Sequence, residues 1–167
     1  MRFNPEKAGS LTKSSGAGGE RTSILVAALV DTNILVYRFD PTSPLKQKIA
    51  RELLRRGLAD DSLRVPHQAI VEFVAAVTRP RKDGLALMSK PDACVEAEQL
   101  LDQFVILYPS ESVVRTALRG AVAYRLAWYD AHLWAYAEHY GLSELYSEDF
   151  EHDRLYGTVR AVNPFLG

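Results

Sequence analysis

An α/β fold built on a mostly parallel sheet follows from three features of the sequence. Short apolar runs rich in β-branched residues alternate with longer segments of helical spacing. The first run, ILVAALV at residues 24–30, is apolar at odd and even positions alike, as a strand covered on both faces must be. At 167 residues and 47% hydrophobic, the chain is long enough for one compact core and short for two.

Each element can be justified in order. Residues 1–23 are rich in Gly, Ser, Lys and Glu with little to bury, so they are expected to form a flexible extension before a single domain over residues 24–167. After the first strand, NILVYRF opens a short helix that Asp40-Pro41 interrupts, because a residue preceding proline avoids the helical region. Pro44–Ala59 carries Leu45, Ile49 and Leu53 at helical spacing, and residues 62–65 form a brief strand. PHQAIVEFVAAVT, residues 66–78, begins with the proline favoured at a helix start and stops before Arg79-Pro80. A charged loop with Gly84 covers residues 80–90. A helix over 92–103 and a strand over 104–108 ending at Pro109 come next, then a helix over 111–126. A last helix runs from about Tyr129 to Gly141, a natural left-handed cap, and Glu144–Tyr146 and Val159–Val162 are short strands.

Composition excludes several classes. One cysteine, Cys94, permits no internal disulfide, and no Cys/His pairs stand at zinc-ligand spacing, so a reducing cytoplasm fits best. A formal net charge of −1 gives no overall field toward nucleic acid or anionic membrane. No apolar run reaches membrane-spanning length, and the first residues lack the apolar middle of a signal peptide. There is no phosphate-binding glycine loop and no Gly-x-Ser-x-Gly elbow, and Asp31-Thr32-Asn33 lacks the second aspartate of a phosphoaspartate hydrolase. His67, His132, His139 and His152 read as core or surface residues.

Four acids stand out by position. Asp31 follows the first strand directly, at the carboxyl end where ligands of open α/β sheets sit. By position alone, an N-cap or Asx turn is the stronger reading. Asp149, in LYSEDF, repeats the pattern after the Glu144–Tyr146 strand. Glu72 lies opposite the stripe Ile70, Phe73, Val74 and Val77 at about 100° per residue, which suits a solvated position. Its helical neighbours Gln68, Ala69, Ala75 and Ala76 are small or neutral, which also suits the wall of a cleft. Asp130 opens a helix among Trp128, Tyr129 and Trp134, where the helix amino terminus favours a negative charge.

Singly, each acid has an ordinary structural explanation. Jointly, converging carboxylates repel one another and call for a cation. Mg²⁺ or Mn²⁺ suits all-oxygen donors, and the chemistry implied is phosphodiester hydrolysis.

VDTNILVY, QAIVEFVAAVTRP, WYDAHLWAYA and YSEDFEHDRLYGTVRAVNPF together resemble a PIN domain, and most closely the VapC-type toxin ribonucleases of bacterial toxin–antitoxin pairs. The resemblance runs from about residue 26 to the carboxyl terminus. It implies a mainly parallel sheet between helices, a three-layer sandwich, and an acidic pocket that binds Mg²⁺ or Mn²⁺ to cleave RNA. Asp31, Glu72, Asp130 and Asp149 match the four acids, and Asn33 and Ser147 match polar positions that support them. Glu148 is an extra acid whose place on the turn points it away. The amino-terminal extension and the long charged loop over 81–90 depart from the pattern.

Among the basic residues, Arg79, Arg81 and Lys82 are the first candidates for RNA phosphate contacts, since they follow the Glu72 helix. The expected function is a metal-dependent endoribonuclease acting as a toxin, held off by a small antitoxin protein, with a homodimer plausible from the aromatic-rich helix. The alternatives are a PIN-fold nuclease for RNA processing or structured DNA without an antitoxin, and a non-catalytic binding module.

Overall fold

A computed structural model describes residues 27–166. The extension expected over residues 1–23 and the first part of the expected 24–30 strand lie outside the described residues. The elements are β1 (Ala28–Val30), α1 (Thr32–Tyr37), α2 (Pro44–Ala59), β2 (Leu63–Pro66), α3 (His67–Val77) and α4 (Lys90–Gln103). They are followed by β3 (Val105–Leu107), α5 (Glu111–Tyr124), α6 (Trp128–His139), β4 (Glu144–Tyr146), β5 (Leu155–Tyr156) and β6 (Val159–Val162).

The strands form one sheet in the order β3-β2-β1-β4-β6-β5, parallel throughout except for β5 at the edge. Side chains alternate across it. Ala28 and Val30 join a core with α1 to α4, while Leu29 joins a second core with α5 and α6. Burial on both faces explains why the first run is apolar at both parities, and it yields the expected three layers.

From β1 the chain builds outward one way through β2 and β3, then returns to lay β4 on the other side of β1. The gap between the carboxyl ends of β1 and β4 is therefore a topological switch point, where connections diverge and leave a crevice. α6 is seated over this region by close packing on α5. A Cβ at Gly120 would collide with the Trp134 ring, and Trp134 Nε1 donates to the Tyr156 carbonyl at 2.8 Å.

Boundaries differ from expectation for local reasons. Pro66 ends β2 and N-caps α3 in extended conformation instead of opening the helix. α4 begins two residues early because Ser89 caps it, accepting from Asp92 N, and Pro91 occupies the first turn, where its missing N–H costs nothing. α5 stops at Tyr124 because Arg125 is left-handed, with φ of 55°. The two-residue β5, joined to β6 through Gly157 at φ of 64°, is too short to leave a pattern in the sequence.

Candidate active site

Asp31 leaves β1 with its N–H still donating to the Tyr146 carbonyl of β4 at 3.0 Å. It is 7% exposed and N-caps α1, with Oδ1 accepting from Thr32 N at 2.5 Å. Its other oxygen accepts from Ser147 Oγ at 2.5 Å and from Asn33 Nδ2 at 2.9 Å. The cap and the cleft are thus two uses of one carboxylate. Asn33 Nδ2 also lies 3.2 Å from Asp149 Oδ2, and Asp149 N donates to Ser147 Oγ at 3.0 Å. Asn33 and Ser147 are thus both hydrogen-bonded to Asp31 and Asp149, linking the ends of β1 and β4.

Glu72 is held from two sides. Thr32 Oγ1 donates to one oxygen at 2.9 Å and Gln68 Nε2 to the other at 2.8 Å. Gln68 is in turn fixed by α6: its Nε2 reaches the Tyr129 carbonyl at 3.2 Å, and its Oε1 lies 2.9 Å from His132 Nδ1. Asp130, in the first turn of α6, takes no hydrogen bond among the described residues. All four acids line one cleft of about 400 Å³, together with Thr32, Asn33, Gln68 and Tyr129.

The electrostatics follow from that convergence. Burial, reinforced by the charges of Asp149 and Glu72, pushes Asp31 up to about 7, against the donors Ser147 and Thr32 that favour its charged form. Burial and the same two neighbours also raise Asp130. A bound cation would relieve this repulsion. The donor set is entirely hard oxygen, and Asn33 Oδ1 is a buried carbonyl oxygen with no hydrogen-bond partner. Among the described residues no three His, Cys, Asp or Glu side chains stand close enough together, as placed, to hold a metal ion among them. Mg²⁺ keeps several waters and borrows oxygens from phosphate substrates, so it asks for few direct protein ligands.

Other candidates divide. Glu148 points away, accepting from Tyr37 Oη at 2.5 Å and pairing with Lys46. Arg81 is tied to Asp40 at 3.2 Å and Asp83 at 3.5 Å, and Lys82 lines neither the acidic cleft nor the groove beside it. Arg79 does line that adjoining groove. Sequence reasoning missed Thr32, Gln68, His132 and Tyr129 as parts of the site. The i, i+4 spacing of Gln68 and Glu72 was a usable signal, whereas nothing local marked Tyr129 as facing a cleft.

Carboxylates clustered at the switch point of a parallel α/β sheet suit the class of proteins that hydrolyse phosphodiesters with a divalent cation. More particularly, the chain belongs to the PIN domain family, whose model matches residues 28–157. Its fold is similar to a toxin–antitoxin complex from Klebsiella pneumoniae, with a TM-score of 0.59 and 21% identity over 83% of this chain and 98% of that one. It is similar to FitAcB from Neisseria gonorrhoeae, with a TM-score of 0.59 and 18% identity over 83% and 99%. It also resembles VapC20 of Mycobacterium tuberculosis, a sarcin-ricin loop cleaving toxin, with a TM-score of 0.56 and 15% identity over 80% and 99%. No curated protein sequence matches the chain significantly.

Proposed function

We propose that this protein is an endoribonuclease dependent on Mg²⁺ or Mn²⁺, and the toxin of a toxin–antitoxin pair. One observation carries the reading: Asp31, Glu72, Asp130 and Asp149, from four separate segments, line a single cleft with their hydrogen-bonded supports. When bound, the cation supplies Lewis-acid activation of water and neutralises charge on the phosphodiester. Asp31 and Asp149 would hold it from the sheet, and Glu72 and Asp130 from the helices. Asn33 keeps the first two acids at fixed separation by reaching both with one amide nitrogen. Thr32 and Gln68 orient Glu72, so its carboxylate needs no rearrangement when substrate arrives.

RNA as substrate and an antitoxin as partner are supported by the descriptions of the structural neighbours, which are toxins and toxin–antitoxin complexes. An acidic cleft also suits the basic side chains of an inhibiting protein tail. A homodimer is supported by Val114, Leu118 and Val122, exposed at helical spacing along α5. Among the described residues no helix is long and apolar enough to cross a membrane, and cytoplasmic action accords with an RNA target.

The test is cleavage of defined RNA and matched DNA by the purified chain in Mg²⁺, in Mn²⁺ and in chelator. Metal-dependent cleavage of RNA that Asp31→Ala abolishes is the expected result. Equal cleavage by wild type and Asp31→Ala would sink the proposal. Preferred cleavage of DNA at matched salt would replace the substrate while keeping the enzyme class.

A further inference from the structure

Beside the acidic cleft, a groove of about 520 Å³ runs along the outer face of α3. It shares Thr32, Glu72, Ala76 and Tyr129 with the cleft, and adds Val71, Ala75 and Arg79. The two concavities therefore form one continuous track across Glu72. Tyr129 is 68% exposed and Val71 56%, large apolar groups left in water at the edge of a polar site. The Tyr129 backbone is fixed, because its carbonyl accepts from the same Gln68 that orients Glu72. Tyr129 thus stands at a fixed helix start, in a groove whose lining includes the small residues Ala75 and Ala76.

Charge selects the partner. Arg79 is the one cation lining either concavity among the described residues. Its neighbour Arg81 is paired with Asp40 and Asp83, while Arg79 has no acidic partner among the described residues. An exposed aromatic side chain and an unpaired guanidinium lining one groove suit one nucleotide: a base for the ring and a phosphate for the fork.

We propose that this groove is a nucleotide subsite adjoining the cleaved bond, in which Tyr129 stacks on a base of single-stranded RNA and Arg79 pairs with its phosphate. The inference rests on the nuclease reading above. Stacking is tolerant of base identity, so the subsite grips and positions the strand while contributing little to choice of sequence.

The experiment measures binding by fluorescence anisotropy in Mg²⁺, with the full chain carrying Asp31→Asn to prevent cleavage. The probes are a labelled oligouridine of about ten nucleotides, within the span of a single-stranded site, and an abasic strand of equal length. Adding Tyr129→Ala should weaken oligouridine binding roughly ten-fold and leave the abasic strand unaffected, whereas Tyr129→Phe should bind as the parent does. Adding Arg79→Ala should weaken both strands and lower the salt dependence by about one phosphate contact. The subsite is overturned if both variants bind oligouridine as the parent does, including the case where they instead lose affinity for a co-expressed protein partner. It is overturned equally if Tyr129→Ala weakens both strands alike. Failure of the parent reading is separate, since it requires Asp31→Ala to cleave RNA like wild type.

Discussion

The four acids of the cleft are held in two different ways. On the sheet side, Asp31 is buried and bonded to Thr32, Ser147 and Asn33, and Asp149 is tied to the same Asn33 and Ser147. On the helix side, Glu72 takes two side-chain donors, Thr32 and Gln68, and the half-buried Asp130 carboxylate has none among the described residues. Donors fixed by strand ends pre-pay the cost of orientation, so the sheet side would receive the proposed cation without moving. The helix side keeps at least one carboxylate free to adjust to what the sheet side has bound. Rigidity and adaptability are thus divided between two layers of one fold.

The largest effect that can break this division is on catalysis. Asp31→Asn keeps the shape and removes the charge at the best-organised position. Loss of several kcal/mol of metal-borne stabilisation corresponds to a rate on the order of 1000-fold lower in single-turnover RNA cleavage. Asp130→Asn should also lower the rate, on the order of 100-fold, while raising the unfolding midpoint of the metal-free protein at neutral pH only slightly, by removing a charge that burial and the charges of Asp149 and Glu72 disfavour. If Asp130→Asn altered stability by the same amount that Asp31→Asn does, the helix side would be fixed no less firmly than the sheet side.

Stability against pH separates the two sides more sharply. Burial, with repulsion from Asp149 and Glu72, pushes Asp31 up to about 7 from the ordinary 3.8, so between those values the folded chain holds a proton that the unfolded chain releases. Metal-free stability should therefore fall as pH rises from about 4 to about 7 and level off above, by up to on the order of 4 kcal/mol. Asp31→Asn should flatten that slope in denaturant titrations run in chelator, and Asp130→Asn should leave most of it. Mg²⁺ should restore stability to wild type above pH 7 and give little to Asp31→Asn. A wild-type slope that Asp31→Asn left intact would mean the charge is already balanced within the protein.

Much of the sheet side was legible in the sequence, and less of the helix side. An apolar strand followed at once by an acid is a local signal, and it marked Asp31 and Asp149 as candidates without knowledge of packing, whereas Asn33 and Ser147 came only with the resemblance to the PIN pattern. Glu72 was ambiguous because a helical wheel says only that it leaves the core. Its role depends on Thr32, forty positions away along the chain. Tyr129 was indistinguishable from its buried neighbours Trp134 and Tyr136, since exposure at a helix start is decided by the packing of α5 on α6. Arg81 illustrates the converse: the sequence marks a cation beside a site, and only the fold reveals that Asp40 and Asp83 already occupy it.

A middle-sized effect tests the link between the two sheet-side acids. Asn33→Ala removes the amide that reaches both Asp31 and Asp149, leaving Ser147 to hold the pair. Losing a supporting hydrogen bond of this kind lowers metal affinity or activity roughly 10- to 100-fold, here read as a higher Mg²⁺ concentration at half-maximal rate. Full activity at saturating Mg²⁺ would identify Asn33 as a positioning group, whereas a loss that metal could not rescue would put it in contact with the reacting groups.

The smallest effect asks what holds the turn that carries Asp149. Lys46 pairs with Glu148, donates to Tyr37 Oη at 2.9 Å, and stands 4.5 Å from the Tyr37 ring centre and 5.4 Å from that of Phe165. This cluster grips Glu148, the residue between Ser147 and Asp149. The ammonium is partly exposed, so its ion pair contributes little to overall stability, and Lys46→Met should slow cleavage by only a few-fold. A loss as large as that of Asn33→Ala would relocate the rigidity of the sheet side from the Asn33 amide to the turn. The stiffness of Asp149 would then come from Tyr37 and Lys46 gripping Glu148, and only Asp31 would owe its fixed position to the strand ends.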